Sequence, residues 1–317
     1  MDARGRHSPN GFSCVILWTL MSLKAEQGKL LLGLIGAAIQ ESRMPAIHER
    51  EAAEHGIRCI YQLIDLDELN LTVAWLPELL AAAERMGFSG LNITHPCKQR
   101  IIPFLTDLSD DAHLLGTVNT VLLRRGKRIG HNTDWSGFAE TLHQQLPEAA
   151  MDHVVQLGAG GAGAATAYAL LKMGVKQLTI SDWSVESEEQ LVDLMALHFG
   201  DRRAQAVKNL AAVVANADGL IHAAPTGLLR YPGMPLPRSL LRPELWVADL
   251  ASVTHETELL RTARELGCRT MDGTGTAVYQ AGKSFELFTG IVPDTNRMAL
   301  HFTNRIAPFS EDLIEPD

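Results

Sequence analysis

The chain has 317 residues, which suits two domains of ordinary size with ample core. Hydrophobic residues make up 46% and charged residues 21% of a chain with net charge −9, which argues against a disordered protein and against a general nucleic-acid or anionic-membrane surface. Four scattered cysteines with no C-x-x-C pair indicate reduced thiols in a cytoplasmic protein and imply no metal site: Cys14, Cys59, Cys97 and Cys268.

Residues 1–28 predict a poorly ordered leader. Arg4 and Arg6 precede an apolar run over residues 12–23, which superficially resembles a signal peptide. No A-x-A-like cleavage site follows, and the run is too short to span a bilayer. An export signal remains the alternative, and Met21 is a second candidate for the natural start.

The first half predicts alternating strands and helices. We expect strands at 29–36, 58–64 and 90–93 and helices at 45–55 and 77–86. This alternation favours an α/β layer with a mainly parallel sheet. A helix at 105–115, a hairpin of strands 117–124 and 127–132, and a connecting helix at 134–145 follow.

A glycine turn organises the second half. Gly158, Gly160 and Gly163 fit the G-x-G-x-x-G spacing after an apolar run and before a predicted helix at 164–173. The first glycine allows the tight turn, the second lets a pyrophosphate approach, and the third lets helix and strand pack closely. A second apolar run, 177–181, ends at Asp182, where an acidic side chain would bond a ribose 2′-hydroxyl.

The remaining elements complete a nucleotide-binding half and a helical tail. We expect strands at 204–207, 217–222 and 245–250 and helices at 188–199 and 256–266. Two helices, 277–289 and 294–302, form the tail, and a tail of this length is expected to pack back on the first domain.

Polar side chains of the first half cluster at the ends of predicted elements, where a substrate would lie beside a dinucleotide. They are Ser42, Asn92, Thr94, Lys98, Asn119, Asn132, Thr133 and Asp134. A set rich in amides and hydroxyls suits a small polyhydroxylated ligand. A lysine held near a carboxylate and a nicotinamide can carry a proton while hydride moves.

These motifs resemble the shikimate/quinate dehydrogenase family. Residues 92–98 (NITHPCK) resemble its N-[VI]-T-x-P-x-K, residues 116–120 (GTVNT) its G-A-V-N-T, and residues 130–134 (GHNTD) its G-x-N-T-D. The likeness continues through the glycine turn to Asp272-Gly273 and Gln280-Ala281 in the tail, and so spans about 30–300.

The resemblance implies roles for named residues. Lys98 would carry the proton, and Asp134 would hold the Lys98 side chain and the reacting hydroxyl. The implied substrate contacts are Ser42 (to the carboxylate), Asn92, Thr94, Asn119 and Gln280, with Met44 and Ser252 at the carboxylate side. The implied cofactor contacts are Gly158, Ala159, Gly160, Gly161, Ala162, Asp182, Ala224, Pro225, Thr226 and Gly275. No metal is implied.

Four features depart from the family pattern, one of them being residues 223–228 (AAPTGL) in place of N-A-T-P-x-G-M. Met44 stands where a hydroxyl of the S-x-S/T motif is usual, and its loss should cost about 1.5–3 kcal/mol of carboxylate binding. Arg43 would compensate as a cation unless it points away. Ser252 replaces a usual tyrosine, and Thr276 replaces a usual methionine near the nicotinamide.

The resemblance implies a two-domain α/β fold: an N-terminal α/β substrate domain, a Rossmann dinucleotide-binding domain, and C-terminal helices returning to the first domain. We expect 29–135 and 275–317 in the substrate domain and 136–274 in the nucleotide domain. The predicted cofactor is NAD, because Asp182 would repel the 2′-phosphate of NADP, which is the alternative.

The predicted function is reversible, NAD(P)-dependent hydride transfer involving a ring hydroxyl of shikimate, quinate or a close analogue. The partner is thus a small hydroxy-acid, with no nucleic acid and no membrane; a homodimer is left open. The alternative function is a ligand-sensing or very slow protein of this type with a different, for example aminated, substrate.

Overall fold

The computed structural model describes residues 28–227, 231–251 and 256–303. The predicted leader up to residue 27 and the predicted substrate-side residue Ser252 lie outside the described residues. Within them, two six-stranded sheets divide the chain into two halves, each with helices packed on its faces. None of the described helices is long and apolar enough to cross a membrane.

The first sheet is mainly parallel, as predicted, with one strand running against the others. Its strands are β1 (Lys29–Gly36), β2 (Arg58–Asp65), β3 (Gly90–Ile93), β4 (Asp107–Leu108), β5 (Thr120–Arg124) and β6 (Lys127–His131), in the order β2-β1-β3-β5-β6-β4. Strand β1 lies parallel to β2 and β3, but β5 is antiparallel to both β3 and β6. Strands β5 and β6 form a hairpin, and Arg125 and Gly126 at its turn have φ of 50° and 75°, the values of a tight hairpin turn.

The helices of this half are α1 (Met44–Glu54), α2 (Leu76–Arg85), α3 (Cys97–Arg100), α4 (Asp110–Leu115) and α5 (Asp134–Gln145), with 3₁₀ turns at Val73–Trp75 and Ile102–Phe104. The prediction of one helix over 105–115 is wrong in its first half. There the backbone pairs with the sheet: Thr106 N donates to Arg128 O at 2.9 Å. Ser109 then caps α4 by accepting from Ala112 N at 3.3 Å, so the helix begins only at Asp110.

The second sheet has the dinucleotide-binding strand order. Its strands are β7 (His153–Leu157), β8 (Gln177–Ser181), β9 (Ala204–Ala206), β10 (Gly219–His222), β11 (Trp246–Asp249) and β12 (Thr270–Asp272), in the order β12-β11-β10-β7-β8-β9. All its pairings are parallel. The order reverses between β7 and β10, where such sheets bind ligands. Strand β12 was not predicted, because a three-residue strand with one apolar side chain carries no readable pattern.

The helices of this half are α6 (Gly161–Met173), α7 (Val185–Phe199), α8 (Leu210–Val214) and α9 (Glu258–Glu265), with a 3₁₀ turn at Arg238–Leu240. Helices α10 (Thr274–Thr289) and α11 (Thr295–Thr303) then return to the first half, as predicted. Phe285 and Phe288 of α10 are buried in the core beneath the first sheet. Gly90 makes this possible, because a Cβ there would lie 2.3 Å from the ring of Phe288.

A buried carboxylate joins α1 to α11. Glu51, whose side chain is fully buried, accepts from Arg297 Nη2 at 2.7 Å, from Arg297 Nε at 2.9 Å and from Asp294 N at 2.9 Å. Burial alone would raise the pKa of Glu51, but these hydrogen bonds and one from His55 together lower it. The ionised form is therefore the one that holds the tail in place.

We expect Glu51→Gln to reduce the free energy of unfolding at neutral pH by about 1–3 kcal/mol, since bonds to a charged acceptor are lost. Because the folded pKa is lowered, this contribution is present above the unfolded pKa, about 4.3, and is lost as the pH falls through the folded value. Urea unfolding from pH 3 to 7 measures it. A constant gap between wild type and variant across this range would contradict the assignment, and the exposed Glu189→Gln serves as the control.

Candidate active site

The site is built around one short ion pair. Lys98 lies on α3, just after β3, and its Nζ donates to Asp134 Oδ2 at 2.6 Å. Asp134 is the first residue of α5, where the helix dipole favours a negative charge. The two side chains are 26% and 13% exposed, so the pair is mostly shielded yet open on one side. Such a contact holds a proton-carrying amine in one position.

The second oxygen of Asp134 is held by an amide. Asn119 Nδ2 donates to Asp134 Oδ1 and to Thr133 Oγ1, both at 2.9 Å. The Asn119 side-chain oxygen, Oδ1, accepts from Thr133 N at 2.8 Å, which fixes the orientation of the side-chain amide. Both carboxylate oxygens of Asp134 therefore have defined partners before any ligand arrives.

The hydrogen bonds continue to a buried tyrosine. Thr120 Oγ1 donates to Asn119 Oδ1 at 3.1 Å, and Asn92 Nδ2 donates to Thr120 Oγ1 at 3.2 Å. Tyr61 Oη donates to Asn92 Oδ1 at 2.7 Å, and burial raises its pKa well above the usual range. Tyr61 and Thr120 were not predicted as site residues. Tyr61 belongs to no motif, and its strand β2 meets β3 only through the intervening β1. Thr120 ends the motif at 116–120, but the motif alone gave it no role.

A cavity of about 340 Å³ opens beside the ion pair. It brings together every predicted substrate residue that the structure describes. Its lining is Leu34, Ala38, Ile39, Glu41, Ser42, Met44, Asn92, Ile93, Thr94, Lys98, Asn119, Thr133, Asp134, Gln280, Ala281 and Ser284. The lining combines apolar side chains with amides, hydroxyls and the ion pair, which suits a small hydroxylated ring.

The Ser42 end of this cavity has lost its expected polarity. Ser42 Oγ accepts from Met44 N at 3.3 Å, and Met44 presents a thioether in place of a hydroxyl. Arg43 does not compensate: its guanidinium donates to Phe302 O and lies 5.4 Å from the centre of the Phe302 ring. Glu41, which precedes Ser42 in the chain, also lines this cavity and brings a carboxylate rather than a cation.

Asp65 fixes the backbone that leads to Ser42. It accepts from Ala38 N at 3.1 Å, from Ile39 N at 2.9 Å and from Gln40 Nε2 at 3.0 Å. Burial would raise the pKa of Asp65, but these bonds together with that from Asp67 N lower it. Ala38 adopts a positive φ of 54° within this turn, a conformation that the carboxylate stabilises.

The glycine turn is required by close contacts. A Cβ at Gly158, where φ is 110°, would lie 2.7 Å from the Ala223 backbone, and one at Gly163 would lie 2.2 Å from Gly158 O. Gly160, the residue before α6, faces open space instead. An anion can therefore approach the start of α6, with its free amides, without meeting a side chain. These residues fit a dinucleotide.

Asp182 follows β8 directly and braces this turn. Its Oδ2 accepts from Ala159 N at 2.6 Å and its Oδ1 from Ser184 N at 2.8 Å. Its own backbone N donates to Glu188 Oε2 at 2.9 Å. The carboxylate thus lies where a dinucleotide-binding fold places the residue that meets the adenosine ribose.

Two further cavities meet at Lys98. One, of about 620 Å³, extends from residues 94–99 to the glycine turn at Ala159–Ala162. The other, of about 170 Å³, lies between the ion pair and α6 and is also lined by Gln280 and Thr276. A cofactor lying along the turn can therefore reach the ion pair.

The remaining predicted cofactor residues fall into two groups, three beside the glycine turn and one between two helices. Ala224, Pro225 and Thr226 follow β10 beside Gly158, and Thr226 Oγ1 has no hydrogen-bond partner within the described part of the chain. Gly275 instead packs α10 on α5, since a Cβ there would lie 2.5 Å from Thr141 Cγ2. No group of metal-ligating side chains occurs among the residues that the structure describes.

Comparisons with known proteins agree with this geometry. Residues 34–121 match a family model described as the shikimate dehydrogenase substrate binding domain. A shikimate dehydrogenase (NADP(+)) of Streptomyces avermitilis is 50% identical over 86% of this chain and 94% of its own length. The chain belongs to the shikimate/quinate dehydrogenase family. The resemblance seen in its motifs, the predicted fold class and the prediction of an oxidoreductase are thereby confirmed.

Other members of the family differ in their cofactor. A quinate/shikimate dehydrogenase (NAD(+)) of Corynebacterium efficiens is 44% identical over 86% of this chain and 97% of its own. The structure of a quinate dehydrogenase from Corynebacterium glutamicum in complex with NAD has a TM-score of 0.82 and 42% identity, covering 86% of this chain and 98% of that one. Relatives therefore use NADP or NAD.

Tyr61→Phe tests whether the series of hydrogen bonds from Tyr61 to Asn119 positions the substrate-binding side chains. We expect the KM for substrate to rise about threefold to tenfold with a smaller change in kcat, because Asn92 loses the bond that orients its amide. Steady-state kinetics measure both constants. Tyr279→Phe, on α10 but outside the substrate cavity, is the control, and equal effects of the two substitutions would contradict the assignment.

Proposed function

We propose that this chain is an NAD-dependent dehydrogenase that interconverts a ring hydroxyl of shikimate, quinate or a close analogue and the corresponding ketone. One observation carries the proposal: the 2.6 Å Lys98–Asp134 pair lies where the substrate cavity meets the two cavities that lead to the glycine turn. A hydride transfer between a substrate in the first half and a nicotinamide in the second requires a proton carrier at that junction.

In this proposal each side chain has one task. Lys98 Nζ accepts the hydroxyl proton as the neutral amine during oxidation, and as the ammonium it returns the proton to the carbonyl oxygen during reduction. Asp134 holds the amine and the reacting hydroxyl, and is itself held by Asn119. Asn92 and Gln280 bond the other ring hydroxyls, with Thr94 beside the substrate. The nicotinamide, when bound, supplies or accepts the hydride.

The two proposed domains are defined by residue ranges along the chain. We assign 29–135 and 275–317 to the substrate domain and 136–274 to the nucleotide domain; the packing of α10 against the first sheet supports this. We also propose a cytoplasmic location, supported by free thiols at Cys59, Cys97 and Cys268.

Lys98→Ala should lower kcat by about 10²–10⁴ with less effect on KM, since a proton carrier acts in the transition state. Asp134→Asn should harm both constants, because that group also contacts the substrate. NAD reduction with shikimate and quinate at high enzyme concentration measures them. The control is Lys176→Ala, which removes an ion pair whose side chains are both 72% exposed. Activity that survives Lys98→Ala would contradict the role.

NAD is the preferred cofactor in our proposal. The Asp182 carboxylate would accept bonds from the ribose hydroxyls of NAD and repel the 2′-phosphate of NADP. The contact of Asp182 with Ala159 N supports this, because it holds the carboxylate beside the glycine turn.

Asp182→Asn keeps an acceptor and removes the charge, so we expect the ratio of kcat/KM for NAD to that for NADP to fall by about tenfold. The exposed Glu186→Gln on α7 is the matched control. Equal kcat/KM with both cofactors in the wild type would overturn the preference.

The second candidate function has a different substrate, an analogue whose carboxylate is absent or replaced, for example an aminated one. In that case the protein would turn shikimate over very slowly or would only sense it as a ligand. The Ser42 end of the cavity favours it: Met44 offers no hydroxyl, Arg43 turns to Phe302, and Glu41 is negative. A carboxylate placed there would meet no cation among the lining residues other than Lys98.

Met44→Thr should therefore lower the KM for shikimate and quinate by about tenfold, the value of one hydrogen bond to a charged group, and leave kcat nearly unchanged. Met86→Thr, at a position 63% exposed, is the control. An unchanged KM would show that the substrate carboxylate does not bind beside residue 44.

A further inference from the structure

A cluster of polar and aromatic side chains joins the two halves of the chain directly. Asp111 of α4 and Trp135 of α5 come from the substrate half, and Tyr168 and Lys172 of α6 come from the nucleotide half. Tyr168 Oη donates to Asp111 Oδ1 at 2.7 Å, and Lys172 Nζ donates to Tyr168 Oη at 2.9 Å. Lys172 Nζ also lies 3.5 Å from Asp111 Oδ1, so the hydrogen bonds cross from one half to the other.

The Lys172 amine is also packed on an aromatic ring of α5. Its Nζ lies 4.2 Å from the centre of the Trp135 ring and 4.9 Å from that of the Tyr168 ring. A cation over the face of a tryptophan is attracted by the negative charge density of the ring. Burial alone would lower the pKa of the Lys172 amine, but Tyr168 and Asp111 together raise it. The amine is therefore held as the cation that these contacts need.

The cluster contacts both segments that hold the Asp134 carboxylate. Trp135 follows Asp134 in the first turn of α5. Asp111 lies on α4, which ends four residues before Asn119, and the amide of Asn119 bonds Asp134 Oδ1. A displacement of either segment would move the carboxylate away from the Lys98 amine.

Helix α6 connects this cluster to the glycine turn. The helix begins at Gly161, and Lys172 lies eleven residues later, about 16 Å along the helix axis. One end of α6 therefore borders the expected dinucleotide site, while its other end contacts α4 and α5. Lys172 lines none of the three cavities that meet at Lys98, so it reaches the reacting groups only through its neighbours.

We propose that Lys172 is a positioning residue, which fixes the first turn of α5, and with it Asp134, relative to the helix that begins at the glycine turn. This inference rests on the proposed function, because it assumes that Asp134 takes part in hydride transfer. Lys172 acts through the Trp135 ring and the Asp111 carboxylate and makes no contact with substrate or cofactor.

Two substitutions of Lys172 separate its charge from its bulk. Lys172→Met keeps the length of the side chain and removes the cation, while Lys172→Arg keeps a cation that stacks on aromatic rings and donates to carboxylates. Tyr168→Phe, which keeps the ring and cuts the bond to Asp111, replaces the methionine variant if that variant does not fold. The matched control is Lys176→Met, because Lys176 forms an ion pair inside the nucleotide half with both side chains 72% exposed.

Three measurements are made on each full-length protein. Steady-state kinetics with NAD and with shikimate or quinate give kcat and KM, and urea unfolding gives the free energy of unfolding. Hydrogen–deuterium exchange of the amides at 133–138 reports on the first turn of α5 without any turnover.

We expect Lys172→Met to lower kcat about threefold to tenfold, with the KM for NAD unchanged and a smaller change in the KM for shikimate or quinate. Lys172→Arg should restore kcat, and the amides at 133–138 should exchange faster in Lys172→Met alone. An unchanged kcat in Lys172→Met would overturn the inference. Equal losses in both variants, in proportion to the lost free energy of unfolding, would also overturn it and make the cluster a packing contact.

An inactive wild type is a distinct outcome. No turnover of shikimate or quinate would overturn the proposed function, and hydrogen exchange would then decide the inference by itself. Faster exchange at 133–138 in Lys172→Met but not in Lys172→Arg would support the positioning of α5, and an unchanged rate would overturn it.

Discussion

The contact between Lys98 and Asp134 is the interaction on which the rest of the site depends. The amine and the carboxylate lie 2.6 Å apart and are mostly shielded from water. Asn119, the residue just before β5, holds the carboxylate by bonding its second oxygen. Because Lys98 follows β3, which pairs with β5, the antiparallel part of the first sheet sets the distance between the two charged groups.

On the cofactor side, the shape of the glycine turn depends on sterics. Gly158 and Gly163 are the residues for which a side chain would collide with backbone, and these two positions were read directly from their spacing. The strand that precedes these glycines and the position of Asp182 after the next strand were also predicted from the sequence. Short-range patterns of this kind predict structure well, because the physical cause lies within a few residues of the signal.

What the sequence did not reveal depends on contacts between distant residues. Thr106 resembles the start of a helix until Arg128, far along the chain, draws its backbone into the sheet. The direction of Arg43 is decided by Phe302, and the importance of Tyr61 by its bond to Asn92. Spacing within one segment holds no information about such partners, so the motifs located the site while its supporting contacts required the structure.

Helix α5 has a mechanical consequence. It begins at Asp134 in the substrate half, and Phe138, Leu142 and Leu146 farther along it are buried in the core of the nucleotide half. The helix therefore belongs to both halves, with its first residue in the ion pair and its later residues in the core of the nucleotide half. Any movement of one half against the other must pass through the element that carries Asp134.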